Sequence, residues 1–389
     1  MQTKKRKSPS LRFRGYTDDW EERKLGEIFN YEQPTKYIVK STEYDDNFNT
    51  PVLTAGKSFL LGYTDEISGI KNATVENPVV IFDDFTTGSH YVDFPFKIKS
   101  SAMKLLSLND NSDNFYFMFN TLKNIKYVPQ SHERHWISKF SEFEIYKPSQ
   151  EEQQKIGSFF KQLDDTIALH QRKLDLLKEQ KKGCLQKMFP KNGAKIPELR
   201  FAGFADDWEQ RKLGDFVIDY VEKTTTQNQF PVLTSSQQQG IVLQETYFAN
   251  RQVTTDNNIG YYVLPRGYFT FRNRSDNDVF IFNRNDLIDK GIISYFYPVF
   301  TLKNSDSDFF LKRINNGIKR QVSIQAEGTG QHVLSMKKFK NIISMFPSLE
   351  EQEKIGSFFK QLDNTIALHQ RKLDLLKEQK KGFLQKMFV

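Results

Sequence analysis

The chain has 389 residues, 56 Lys and Arg against 48 Asp and Glu, and a formal net charge of +8. That length accommodates two or three domains of ordinary size, and the modest basic balance is compatible with nucleic acid. A single cysteine, Cys184, excludes an intrachain disulfide framework and fits a reducing cytoplasm. No apolar run approaches the roughly 18 residues of a membrane span, and the basic stretch 1–7 is not followed by the apolar core of a secretory signal.

The first recognisable block is a lead segment, residues 9–28, PSLRFRGYTDDWEERKLGEI. A variable region, 29–147, follows. Within it Asn77-Pro78-Val79-Val80-Ile81-Phe82 predicts a turn and then a buried strand, and the Phe-rich run 111–122 predicts a core-facing helix. Gly56-Lys57-Ser58 ends like a phosphate-binding loop, but Pro51 stands where the first glycine is required. His132 and His135 are three apart, not the four of a zinc-protease helix. The polar side chains here suited to DNA are Lys57, Ser89, His90, His132, Arg134 and His135.

Residues 151–189, EEQQKIGSFFKQLDDTIALHQRKLDLLKEQKKGCLQKMF, form the next block. Ile156, Phe160, Leu163, Ile167, His170, Leu174, Leu177, Lys181, Cys184 and Met188 step by four and three, which is the seam of a coiled-coil helix. Ser149 and Glu152 have capping-box spacing, lysines crowd the last turns where the helix dipole favours cations, and Pro190 stops the pattern. At 1.5 Å per residue the rod is about 55 Å long. His170 reads as a partly buried histidine meeting a polar partner. Lys181, like Lys380 at the same place in the second copy, reads as a point where paired helices splay.

After Pro190–Pro197 the whole plan repeats. Residues 197–216, PELRFAGFADDWEQRKLGDF, match the lead segment at an offset of 188. Residues 350–388 match 151–189 at an offset of 199, with three differences in 39 positions: Gln154/Glu353, Asp165/Asn364 and Cys184/Phe383. The second seam is Ile355, Phe359, Leu362, Ile366, His369, Leu373 and Leu376, continuing to Lys380, Phe383 and Met387, and Ser348 with Glu351 repeats the capping box. Between these frames lies a second variable region, 217–346. Strands are predicted over 261–264, 267–271 and 279–282, and a helix over 306–315. Arg matches the guanine edge and Asn the adenine edge in the major groove. The candidates are Arg251, Arg266, Arg272, Asn273, Arg274, Arg313, Lys319, Arg320, Gln331 and His332, with Lys312 and Gln325 beside them. Taken singly each also reads as a solvated surface group; the clusters 130–136 and 266–274 stand out.

Near-identical frames around divergent inserts indicate one scaffold used twice. Two matching apolar stripes in one chain bury each other most simply as an antiparallel pair, which would bring the two chain termini together and hold the variable regions apart about a pseudo-twofold axis. No glycine-rich cofactor loop, metal-ligand spacing or supported acid-base pair is found.

This plan resembles the specificity subunits of type I restriction-modification systems. The matching elements are Asp-Asp-Trp-Glu and Arg-Lys-Leu-Gly in both lead segments, Pro-Ser-x-Glu-Glu-Gln-x-Lys-Ile-Gly-Ser-Phe-Phe, and Leu-Asp-x-x-Ile-x-x-x-x-x-Lys-Leu. Gly328-Thr329-Gly330-Gln331-His332-Val333-Leu334-Ser335 to Phe339 is similar to the segment closing a family recognition domain; Ser131-His132-Glu133-Arg134-His135-Trp136-Ile137-Ser138 matches it less well.

The resemblance implies an α+β fold: two mixed α/β target-recognition domains separated by an antiparallel coiled coil of two long helices, pseudo-twofold symmetric. The expected domains are 1–148, the first recognition domain with its lead block; 149–189, the first long helix; 190–347, linker, lead block and second recognition domain; and 348–389, the second long helix. It further implies a cytoplasmic, non-catalytic reader of double-stranded DNA, each domain taking half of a bipartite target. The helices would set the gap and dock two methyltransferase subunits beside motor-nuclease subunits. S-adenosylmethionine, ATP and Mg would sit on those partners, none on this chain. Two readings from other classes stay open, a coiled-coil scaffold for proteins and a stand-alone DNA methyltransferase.

Overall fold

The computed structural model describes residues 8–56, 58–129, 134–191, 194–249, 257–277, 279–328 and 331–389. The chain divides into two compact units, Met1–Arg172 with Arg371–Val389, and Lys173–Gln370. The long helices, Gln150–Lys187 and Leu349–Met387, each contribute one end to each unit.

In the first unit the lead strand Glu21–Lys24 pairs antiparallel with Glu144–Lys147, the strand that runs into the first long helix. A four-stranded antiparallel sheet follows, in the order Phe29–Glu32, Met103–Leu108, Val79–Asp83, Ser89–Val92. Val79–Phe82 is buried throughout, as a continuous apolar run in a central strand should be. A smaller sheet joins Leu60–Thr64, Thr50–Leu53 and Lys97–Ile98. The predicted helix begins only at Phe115: Asp110 accepts the Ser112 N–H, and Asn114 caps the helix by accepting the Phe117 N–H at 2.8 Å. Both side chains favour turn over helix for the residues before the cap.

The second unit repeats this frame. Glu209–Lys212 pairs with Ile343–Phe346, and a four-stranded sheet runs Val217–Tyr220, Val299–Leu302, Phe269–Phe271, Phe282–Arg284. Helix Ser307–Asn316 is capped by Asp306, which accepts the Phe309 N–H at 2.7 Å. The strand predicted over 279–282 starts at Phe282 instead. Val279 N–H is drawn to Ser275 Oγ and Asn277 Oδ1, which holds a turn where a strand is expected.

The frame residues explain themselves through contacts made twice. Arg12 grips Glu152 through two bonds, 2.9 and 2.7 Å, and Arg200 grips Glu351 at 2.7 and 2.8 Å. Both carboxylates are almost fully buried, and their hydrogen bonds raise the arginine pKa values. The capping boxes are therefore half made. Ser149 and Ser348 accept the Glu152 and Glu351 N–H groups at 3.5 and 3.3 Å, while the carboxylates that would reach back are held by the lead-segment arginines. Gln153 and Gln352 tie each long helix to the loop before its neighbouring short helix. The glycine of Lys-Ile-Gly-Ser-Phe-Phe has a steric reason. A Cβ on Gly157 would lie 1.9 Å from Asn114 Oδ1, and one on Gly356 2.0 Å from Asp306 Oδ1, so glycine lets each cap press against the long helix.

Within each unit the start of one long helix lies beside the end of the other, in antiparallel fashion. In the first, Phe159 meets Phe383 at 5.1 Å and Phe160 meets Phe388 at 5.5 Å between ring centroids; in the second, Phe189 stacks on Phe359 at 6.0 Å. Ile156, Phe160, Leu174, Leu177, Ile355, Phe359, Leu362, Leu373 and Leu376 are buried. Leu163, Ile167, His170, Ile366 and His369 are half-buried. The seam lysines do not mark a splay. Lys380 donates to Asp164 at 2.5 and 2.7 Å, where Tyr116 also donates, and Lys181 reaches Asp363 at 2.6 Å, where Lys312 also donates. The long aliphatic stems stay in the seam while the charged tips cross to the partner helix. Near the ends of the chain, Leu11 N–H closes the Lys386 carbonyl at 2.9 Å, just as Leu199 N–H closes that of Lys187.

Candidate nucleic-acid interface

The two sheets present different tips. In the second unit the tip between strands Phe269–Phe271 and Phe282–Arg284 is long. Asn273 anchors it: its N–H donates to the Phe296 carbonyl and its own carbonyl accepts the Leu334 N–H, both at 2.9 Å. Arg274–Ser275 pairs with His332–Val333, and Gln331 donates to Asp276 at 2.9 Å. The exposed Arg274 guanidinium lies over the Phe296 ring at 4.4 Å, which limits its rotamers without satisfying its donors. Arg272, also exposed, stands beside Tyr297, whose hydroxyl pKa is raised by burial against the pull of that arginine.

Arg272 and Arg274 share a polar cleft of about 500 Å³ with Gln237, Gln238, Asn277 and Tyr247. The two glutamines project from the turn between Leu233–Ser236 and Gly240–Leu243, whose Ser236 hydroxyl accepts the Gln238 and Gln239 N–H groups. Sequence reasoning missed them. The signal was an amide-rich turn, Ser-Ser-Gln-Gln-Gln, between two short apolar runs. Exposed guanidinium and carboxamide groups on anchored loops can make paired hydrogen bonds to base edges.

In the first unit the tip is a tight turn. Asp83 Oδ1 accepts the Phe85 and Thr86 N–H groups, and Thr87 adopts a φ of 61°. The Asp84 carbonyl accepts the His135 N–H at 3.0 Å, its Oδ1 the Trp136 N–H at 2.9 Å, and its Oδ2 lies 3.3 Å from Lys104 Nζ. Lys104 and Asp84 are both buried. His90 stacks on Phe59 at 4.4 Å, and burial lowers its pKa.

Several candidates lie elsewhere than the sequence suggested. His135 is fully buried and packs its ring against Tyr127, so it belongs to the core. Arg313 is 3% exposed, donates to Ser344 Oγ and packs on Phe189 and Trp208. Helical periodicity turns it inward, which a reading by residue type overlooks. Ser89 is buried on its strand. Arg266 is engaged by Asp289 and by the carbonyls of Asp286 and Leu287, clamping a turn. Lys312 is taken by Asp363. Lys319 and Arg320 are exposed on the short helix Lys319–Gln325, which Gln325 ends, in a separate cleft. Arg134 is exposed and His332 half-exposed. Lys57, His132 and Arg251 lie outside the described residues. Among the described residues no three His, Cys, Asp or Glu side chains converge as a metal site, and no helix is long and apolar enough to cross a membrane.

The model of the type I restriction modification DNA specificity domain matches residues 17–179 and 205–378. The chain is 48% identical over 135 residues to the specificity subunit of the type I restriction enzyme EcoR124I/EcoR124II of Escherichia coli, covering 34% of this chain and 33% of that protein. It is 24% identical over 211 residues to the MjaVIII specificity subunit of Methanocaldococcus jannaschii, covering 51% and 44%. The aligned parts thus span less than half the length of either relative. A crystal structure of the S subunit of a type I restriction-modification system from M. genitalium shares the fold, with a TM-score of 0.66 at 14% identity, over 98% of this chain and 99% of that one.

Proposed function

The chain belongs to the type I restriction modification DNA specificity domain family, and from that premise we propose that it is a specificity subunit reading a bipartite site in double-stranded DNA. The observation that carries this reading is the cleft holding Arg272, Arg274, Gln237 and Gln238. Its loops are anchored by backbone bonds, and its guanidinium and carboxamide groups suit guanine and adenine edges. The first unit would read the other half through its own tip and the His90 surface. Frames kept alike around different tips fit one scaffold carrying two readers.

The long helices set the unread gap and dock two methyltransferase subunits. Leu169 and Leu176 on one helix, and Leu368 and Leu375 on the other, stand exposed off the seam and offer apolar contact for them. Chemistry belongs to those partners and to motor-nuclease subunits, which would hold S-adenosylmethionine, ATP and Mg, and the target adenine would be flipped out of the stack to be methylated.

The test is to express the chain with the methyltransferase subunit of its host and map modified adenines by single-molecule sequencing. A split motif with a fixed gap, present only when this chain is present, is the expected result. Modification without any such motif would refute the reading. If no adenine is modified, a duplex-binding titration against salt decides, since a scaffold for proteins alone would show no specific site.

A further inference from the structure

A second cleft in the second unit shares no lining residue with the one that holds Arg272 and Arg274. It measures about 1290 Å³ and opens between the last turns of the first long helix and the short helix Lys319–Gln325. Lys178, Lys182, Lys319 and Arg320 line it, and no Asp or Glu does. All four are exposed, and none has a carboxylate within 4.0 Å among the described residues. Lys181, which also lines the cleft, is held by Asp363, which Lys312 shares.

The floor is Arg313. It makes one hydrogen bond, to Ser344 Oγ at 3.0 Å, and its Nη1 is buried with no partner. Gly317 packs so close that a Cβ there would stand 2.3 Å from Nη1, which fixes the guanidinium in place. Burial pushes its pKa down to about 10, so it remains a cation at neutral pH. A buried cation without a carboxylate is costly unless an anion completes it. The first unit lacks this arrangement: seven residues past the Asn114 cap, where Arg313 stands past Asp306, is Thr121, whose hydroxyl donates to the Phe117 carbonyl.

We propose that this cleft seats phosphates of the DNA backbone and contributes affinity without reading sequence. It rests on the DNA-reading function proposed above. Arg313, Lys319 and Arg320 all come from the second variable region, so the seat would belong to that reader and have no counterpart in the first. Four exposed cations around one open cleft, with Arg313 at its floor, suit a repeating polyanion better than a single carboxylate.

The experiment compares the full chain with a Lys319→Ala/Arg320→Ala variant and, as a control for a like loss of net charge away from the cleft, a Lys212→Ala/Lys372→Ala variant. Binding to duplex DNA is measured across a salt series, and binding of tripolyphosphate by calorimetry. The log-log salt slope should fall by about 0.9 for each phosphate no longer neutralised, with the ranking of target variants unchanged and tripolyphosphate binding abolished. Lys212→Ala/Lys372→Ala should leave tripolyphosphate binding intact. An unchanged slope overturns the proposal, and if tripolyphosphate binding is still abolished the cleft takes free phosphates instead of DNA. An altered ranking of targets would make the cleft part of base readout and also overturn it. If the unaltered chain shows no preferred target, the DNA-reading function fails, while the slope still reports on the cleft.

Discussion

The two units close the same frame with the same residues and finish the tips of their sheets in opposite ways. At the tip of the first, Asp84 spends its carboxylate inward, on the Trp136 N–H and on the buried Lys104. At the corresponding place in the second, Asn273 anchors only through its backbone, and the flanking Arg272 and Arg274 turn outward. A short tip stabilised by buried charge leaves little side chain to present; a long tip stabilised by backbone pairing frees its side chains for a ligand. On the function proposed above, the contrast would let one scaffold carry two readers: the frame fixes where the tip emerges, and the tip's own chemistry decides what it exposes.

The largest effect is expected from removing charge at the first tip. Lys104→Met leaves Asp84 buried beside an apolar chain and should cost the first unit about 3–5 kcal/mol. The double variant Asp84→Asn/Lys104→Met should recover much of that, because no buried charge is then left unpaired. Denaturant unfolding of both variants checks it. Equal losses in the two would mean that packing, not charge, holds the tip.

The frame should respond alike in both units. Gly157→Ala and Gly356→Ala each force a cap oxygen away from the long helix, and overpacking of this kind costs about 1–3 kcal/mol. Hydrogen exchange of the short helices 115–124 and 307–316 would read the effect locally. Loss in one unit only would show that the repeated glycine has different work in the two halves.

At the second tip, Arg272→Ala and Arg274→Ala should each cost about 1–3 kcal/mol of discrimination at one half-site, leaving the other half intact. Methylation motifs of the two variants would show which positions relax. Equal relaxation of both halves would refute independent readers.

These tests separate what is legible in the sequence from what is not. The long helices can be read because a heptad seam, a cap and a stopping proline are local signals, and the repeated frame can be read because it occurs twice. Even there the partners escape. Capping-box spacing points Glu152 and Glu351 at their own helices, although Arg12 and Arg200 stand at the same place in both lead segments. Lys181 and Lys380 read as breaks in the seam because a residue's type does not say where a long side chain ends. The tips are less legible still. Arg313 and His135 are polar by type but buried by position. Gln237 and Gln238 join Arg272 only through a fold that brings together turns some 35 residues apart in sequence. A single sequence carries periodicity well and convergence poorly.

The smallest expected effect concerns the satellite sheets, and it appears only in acid. In the first unit Glu66 accepts the Lys40 and Ser41 N–H groups and pairs with the buried Lys97 at 2.9 Å. Burial alone would raise its pKa; the Ser41 and Lys40 amides and Lys97 outweigh burial and hold it at about 2, below the usual 4.5. A carboxylate whose folded pKa is depressed contributes stability that is present above the unfolded value and is lost as pH falls through the folded one. The first unit should therefore lose stability between pH 4.5 and about 2. The second unit's two-stranded satellite sheet, Tyr262–Pro265 with Lys290–Ile293, is fastened by a neutral group, the fully buried Asn285, which donates to the Leu264 and Ile288 carbonyls and accepts the Leu287 and Ile288 N–H groups. Glu66→Gln should shrink the acid limb of the first unit to the part owed to Glu32, whose pKa burial would raise but Lys36, Lys71 and Tyr37 hold at about 2, and leave the second unit's unchanged. Hydrogen exchange read separately for the strands 50–64 and 262–293 across that pH range would follow both. An acid limb of undiminished size in Glu66→Gln would show that the Glu66 carboxylate does not fasten this sheet.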